Sequence, residues 1–285
     1  MSDDARIGPR PKRRGRHSIG EIALVVLACG YAALLLGGPI LAIGWGALSS
    51  GLSAFVSEVT SPDAVDAFML TLGLSVAATV LNTVFGIVIA WVLVRGDIPG
   101  RAFLNGIVDL PFAVSPVIAG FMLILLFGRG GWLAPFADAL GVKVVFAVPG
   151  MLLAVTFVSL PFAVREVTPV LAHAGVDQEL AALTLGARPW QAFWHVTLPT
   201  IRWAVFYGVS LTFARALGEF GAVLVVGGGV SGSTETATLY IFRSLDDRNQ
   251  TGAFAMAFTL AATSLAVLAI MEVAKRRLER DGEGR

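Results

Sequence analysis

One cysteine, three histidines and few charges set the first limits on this 285-residue chain. The lone thiol, Cys29, excludes an internal disulfide and leaves no thiol pair for redox or metal chemistry, so it reads as a small apolar packing residue. His17, His173 and His195 all fall outside the apolar stretches, and nothing in their placement suggests a histidine-ligated metal within a membrane. There is no HExxH pair and no GxSxG element, the motifs of a zinc hydrolase and a serine hydrolase. A Walker A glycine-lysine element is also missing, so any nucleotide-driven work needs a separate ATPase. No cofactor is implied. Charged residues make up 14% of the chain against 56% hydrophobic, more apolar side chains than a soluble core uses. The composition is that of an integral membrane protein.

A helix needs roughly 20 apolar residues to cross a bilayer. Six stretches qualify, at 22–48, 68–94, 102–127, 144–164, 203–226 and 252–274, and predict an all-α integral membrane fold of six transmembrane helices. Residues 1–20 carry Arg6, Arg10, Lys12, Arg13, Arg14 and Arg16 without apolar periodicity and read as a disordered basic cytoplasmic tail. The apolar run that follows exceeds the roughly 7–15 residues of a signal-peptide h-region, so 21–48 reads as a retained first span. Residues 68–274 then form the membrane core with a loop at 165–202, and 275–285 form a second basic cytoplasmic tail. If both termini lie inside, the inner side collects the two tails, Arg95, Arg101, Arg165, Arg188 and Arg202. The outer side keeps only Arg129, Lys143, Arg243 and Arg248. That asymmetry is the one the positive-inside rule expects of a plasma-membrane protein with cytoplasmic ends.

Prolines interrupt two spans, Pro111 and Pro116 in the third and Pro149 and Pro161 in the fourth. Such breaks need neighbouring helices or cavity water to satisfy the freed carbonyls. The pentapeptide LPFAV occurs at 110–114 and again at 160–164, and the opposite direction of these spans puts both copies toward the cytoplasmic side. Two copies do not establish a repeat architecture, so the match reads as coincidence or as paired kinks.

The loop stretch 177–199, DQELAALTLGARPWQAFWHVTLP, reads as an amphipathic helix-turn-helix. Val176, Leu180 and Leu183 recur at helical spacing, and Gly186 is the residue best able to take a positive φ and end the helix. A second short helix with Trp190, Phe193 and Trp194 runs to Leu198 and Pro199. Apolar and aromatic side chains on such helices invite a protein partner, while the tryptophans also suit a helix lying on the membrane interface.

Ala181, Ala182, Gly186 and the Val196-Thr197-Leu198-Pro199 end resemble the EAA loop, E-A-A-x3-G-x9-I-x-L-P, of binding-protein-dependent ABC importer permeases. The resemblance implies the type I permease fold, with this loop as the coupling helix that sits in a groove of a cytoplasmic ATPase. Glu179, Leu180, Ala181, Ala182, Gly186, Leu198 and Pro199 are then its contact residues. One position departs from the motif: its glutamate falls at Leu180, and the carboxylate stands one residue earlier at Glu179. A shift of one residue turns a side chain by about 100° on a helix, so Glu179 does not simply inherit the motif's contact. DLPFAVSP at 109–116 and LGEFGA at 217–222 are similar to the sulfate/thiosulfate permeases, in particular the W-type subunit of a heterodimeric pair. The second element is shared with molybdate permeases. The partners so implied are a T-type permease, an ABC ATPase dimer and an extracytoplasmic sulfate- or thiosulfate-binding protein, in a lipid bilayer and without nucleic acid.

Asp109, Arg215 and Glu219 lie within spans, where an ionisable residue costs several kcal/mol and is by default a functional candidate. Arg215 and Glu219 are spaced i and i+4, so they pair with each other or with a second subunit. With Ser115 and Thr212 they form a candidate translocation path or gate for a dianion, together with Ser210 and the glycines at 227–229. A free carboxylate on that path would repel the cargo, which favours an Arg215–Glu219 ion pair. Asp109 has Arg95, Arg101 or Arg165 within its reach. Two other readings stay open beside sulfate import: a molybdate or tungstate importer permease, and an ion-coupled secondary anion transporter, which would need its own midplane site and usually an internal repeat. A membrane-embedded enzyme lacks the motifs it would need.

Overall fold

A computed structural model describes residues 19–97 and 99–283, and every regular element among them is helical. The tail expected at 1–20 therefore lies almost wholly outside the described residues. Contacts divide the chain into two units, one ending at Trp45 and the other running from Gly46. In the first unit, α1 (Ile19–Ala32) passes through a π-helical turn at Ala33–Gly37 into α2 (Gly38–Ser49), whose residues from Gly46 onward belong to the second unit. Leu24, Leu27, Leu34 and Leu41 are exposed along it, as suits side chains whose solvent is lipid.

The second unit is built around α4 (Pro62–Arg95), entered through the short α3 (Leu52–Val59). Ser61 caps α4 by accepting from the Ala64 amide, and Pro62 stands in its first turn, where its missing N–H costs nothing. At 34 residues the helix is about 51 Å long, well beyond the roughly 30 Å hydrocarbon core, so it projects out of the bilayer. The second span thus begins six residues before its apolar run. α4 supplies side chains to three buried clusters, with Leu74 and Ala78 in one, Ala90 and Leu93 in another, and Ala64 and Ala67 in the third.

The third expected span is not one helix. α5 (Arg101–Ala113) and α6 (Pro116–Phe127) meet at a bend of 113°. Pro116 explains it, because the residue before a proline is driven out of the helical region, and Val114 and Ser115 are both extended. α7 (Ala134–Ala139) follows, then α8 (Val148–His173). α8 starts four residues later than its apolar run and ends nine later; Pro149 sits at its start, and Pro161 and Pro169 are carried inside it. After the loop helices come α11 (Leu198–Leu217), α12 (Gly221–Gly227), α13 (Ala237–Asp246) and α14 (Gln250–Glu283). α11 and α12 are bent by 57° at Gly218–Phe220, so the fifth span is broken as well. Among the described residues, four helices are long and apolar enough to cross a membrane, or six when each bent pair is one span. The basic stretch from Lys275 continues α14 to Glu283 rather than forming a separate tail.

Small residues set the closest approaches. A Cβ at Gly86 of α4 would fall 2.8 Å from the Ala163 Cβ of α8, and one at Gly208 of α11 would fall 3.4 Å from the Ala163 Cα. Such contacts carry helix association where lipid removes the hydrophobic drive. One turn earlier on α4 and α8, Asn82 donates to Ser159 Oγ at 2.9 Å and to the Thr156 carbonyl at 3.1 Å. Because 82 meets 159 and 86 meets 163, these two helices run parallel.

Candidate functional site

Residues 177–199 fold into α9 (Asp177–Thr184), α10 (Pro189–Ala192) and a π-helical turn at Phe193–Thr197. The first helix ends as its composition dictates. Gly186 takes φ +91, its N–H bonds to the Leu183 carbonyl, and the Ala187 N–H bonds to the Ala182 carbonyl, the paired 5→2 and 6→1 bonds of a Schellman cap. The second helix does not stop at Pro199. It continues through the π-turn into α11, the Leu198 N–H bonding five residues back to Phe193. Gln191 bonds back to the Arg188 amide and steadies the start of α10.

α9 is inside out for a helix resting on a protein. Leu180 is 53% exposed and Leu185 89%, with Val176, Leu183, Trp190 and Trp194 also open, whereas Glu179 points inward. Its Oε1 lies 3.2 Å from Arg95 Nη2 and accepts from Thr197 Oγ1 at 3.0 Å. Arg95 also donates to the Gly175 carbonyl. Ala182 and Leu198 are half-buried, while Ala181, Gly186 and Pro199 are exposed. The displaced carboxylate thus faces this chain itself, and Leu180, at the motif's glutamate position, faces outward. The sequence offers Arg95 as an inner-side charge and as a partner for Asp109, not for Glu179. The signal for its pairing is electrostatic: a cation in the last turn of α4 and an anion in the first turn of α9 each sit at the favourable end of a helix dipole.

Asp109 pairs with Arg165, Nε donating to Oδ1 at 2.8 Å and Nη2 to Oδ2, with both side chains partly exposed. Arg165 lies inside α8, which runs on to His173, rather than opening the loop expected at 165–202. The neighbouring LPFAV copies touch, Phe112 meeting Phe162 edge-on with centroids 5.3 Å apart.

The bends of the two broken spans converge. A Cβ at Gly221 would lie 3.0 Å from Val117 and 3.4 Å from Pro116, and one at Gly120 would lie 2.6 Å from the Ala222 carbonyl. DLPFAVSP and LGEFGA are thus adjacent in space. Glu219, only 2% exposed, bonds the Ala222 amide at 2.9 Å and meets Arg215 Nη1 at 2.9 Å; Arg215 is 30% exposed. The carboxylate is neutralised by its own helix neighbour and by the start of α12. Ser115 is exposed at the bend before α6, and its hydroxyl makes no cap bond, so the Val117 and Ile118 amides have no helical acceptor. Thr212 is different from what a path residue requires: it is fully buried within this chain, its hydroxyl without a partner. Ser210 is also buried, bonding back to the Phe206 carbonyl. Sequence reasoning missed a further cluster near α13. There Glu235, nearly buried, binds Arg243 at 2.6 and 2.9 Å and holds its guanidinium above the ordinary arginine range. Eight residues of separation leave no local pattern that would mark that pair.

Residues 82–280 match the family model described as the binding-protein-dependent transport system inner membrane component. The chain is 43% identical over 254 residues to the sulfate transport system permease protein CysW of Synechocystis sp., covering 89% of this chain and 92% of that protein. It is 40% identical over 241 residues to the sulfate transport system permease protein CysT of Synechococcus elongatus, covering 85% and 87%. A crystal structure of a bacterial alginate ABC transporter, in complex with an alginate pentasaccharide-bound periplasmic protein, superposes with a TM-score of 0.74 at 17% identity, over 90% of this chain and 94% of that one. That likeness concerns the fold, which is the type I ABC importer permease fold.

Proposed function

We propose that this chain, which belongs to the family of binding-protein-dependent transport system inner membrane components, is a sulfate- and thiosulfate-importing permease subunit driven by a separate ATPase. It has no chemistry of its own. It works beside a T-type permease, two ATPase subunits and an extracytoplasmic binding protein, with both termini in the cytoplasm. The anion follows from the sulfate permeases that the chain resembles over nearly its whole length.

One observation carries the mechanism: α9 turns Leu180 and Leu183 out and Glu179 in. An apolar helix face outside the membrane is covered by a partner, and a short helix ending in a tight glycine turn fits a groove on the ATPase. Leu180, Ala181 and Leu183 enter that groove. Glu179, Leu198 and Pro199 hold the loop from behind. At the bends, the free amides of Val117 and Ile118, the hydroxyl of Ser115 and the exposed edge of Arg215 offer dipoles and one shared cation to a passing dianion. Glu219 does not repel it, because its charge is already paired. Thr212 is left out of this path, since it lies wholly inside the chain.

The test is uptake by the complete complex in proteoliposomes. ATP inside the vesicles and loaded binding protein outside should give sulfate accumulation. Uptake driven by an ion gradient with no ATPase present would refute the proposal, and competition by molybdate but not thiosulfate would reassign the cargo.

A further inference from the structure

We infer that Arg95 is the positioning residue that ties the coupling helix α9 to the transmembrane helix α4, so that the two move as one body. The inference rests on the coupling role proposed for α9 and names the helix that receives the motion. α9 is eight residues long, a length at which an isolated helix is marginal, and its N-cap, Val176, has no side chain to satisfy the first-turn amides. Its order must come from tertiary contacts. Arg95 supplies two from one guanidinium, to the carbonyl of Gly175 just before the helix and to the carboxylate of Glu179 in its first turn. Thr197, in the π-turn that leads into α11, holds the same carboxylate oxygen.

The pair is sheltered as well as connected. The side chains of Arg95 and Glu179 are 10% and 19% exposed, so water and salt screen them less than a surface ion pair. Both bonds leave one nitrogen, Nη2, so a single charged donor joins the residue before α9 to the first turn of α9. Arg95 closes the last turn of α4, the helix that contributes to all three buried clusters of its unit. A push on the outward leucines of α9 is therefore delivered to a long helix that cannot yield locally. The same geometry accounts for the displaced motif glutamate: at 179 it faces Arg95 and serves the chain's interior, while the outward position is left to Leu180.

The test uses the full complex in proteoliposomes and reads ATP hydrolysis and sulfate uptake in the same vesicles. Arg95→Met should leave the ATPase bound, because the outward face of α9 is untouched, and should leave hydrolysis running. Uptake per ATP should fall about tenfold, the factor commanded by one hydrogen bond to a charged group. Arg95→Lys, which keeps one charged donor for the carboxylate of Glu179 and the Gly175 carbonyl, should recover most of that ratio. An unchanged ratio in Arg95→Met overturns the inference, as does loss of the ATPase from the complex, which would make Arg95 a residue of assembly alone. Should Arg95→Met fail to insert, Glu179→Leu decides: it removes the oxygen that Arg95 and Thr197 share and leaves the outward face of α9 intact, so an unchanged ratio there also overturns the inference. No ATP-driven uptake by the unmodified complex is a different result, and it removes the transport reading itself.

Discussion

Replacing Gly186 by valine alters one backbone position and no side-chain contact. A Cβ built on Gly186 meets nothing within 4 Å, so steric conflict with neighbours contributes nothing. The whole cost is conformational, because φ is +91 there and the Schellman bonds of Ala187 and the glycine itself depend on it. A left-handed conformation costs an L-residue about 1–2 kcal/mol, and a β-branched residue about 2–3 kcal/mol. At about 1.4 kcal/mol per factor of ten, valine lowers the population of the formed turn by about 30- to 140-fold relative to any alternative loop. Asparagine tolerates this region far better than alanine does, so transport should rank Gly, Asn, Ala, Val. Proteoliposomes carrying the complete complex provide the assay, with ATP-driven sulfate uptake measured beside the amount of inserted permease. Valine should abolish uptake while insertion stays normal. Normal uptake by the valine variant, or an asparagine variant as damaged as valine, would refute the reasoning.

Three further outcomes follow from the packing. Arg215→Ala strands the buried carboxylate of Glu219 and should lower the thermal stability of the detergent-solubilised complex by about 3 kcal/mol, whereas Glu219→Gln keeps an acceptor for the Ala222 amide and should cost about 1 kcal/mol. Equal losses would contradict the pairing. Gly86→Leu drives a side chain into Ala163 and should destabilise the α4–α8 contact by about 1–3 kcal/mol, read as less folded protein in the membrane; Gly73→Leu on the same helix enters open space and should be silent. Asp109→Asn loosens a partly exposed pair and should cost less than about 1 kcal/mol in the same melting assay, and a loss matching Arg215→Ala would sink that assignment.

Much of the fold was legible because the hydrocarbon core imposes a length on every span. The second, fourth and sixth apolar runs each lie largely within one long helix. Hydropathy carries no signal for direction, so it merged α5 with α6 and α11 with α12, although Pro116 and the Gly218-Glu219 pair marked both breaks. Pro161 shows the opposite error of a proline rule, since α8 continues through it and through Pro169 to His173. In the loop, Gly186 announced its positive φ through residue type alone. The end of the second short helix did not, because a π-turn upstream of Pro199 absorbs the missing N–H and lets the helix run on. Arg95 and Glu179 are 84 residues apart, and no local spacing connects them. Asn82, set in an apolar run, did carry a signal that a buried amide needs partners, and it finds them on α8.

The outward leucines of α9 also have a consequence before any anion moves. Under the coupling role proposed for this loop, a freshly inserted permease shows the aqueous phase, until an ATPase covers them, the kind of surface that proteases and chaperones recognise on unfinished proteins. On that proposal Leu180 and Leu183 would act as a tag of incompleteness, erased only by assembly. A cell that makes this chain in excess of its motor should degrade the surplus, and the level of the permease should track the supply of its partner.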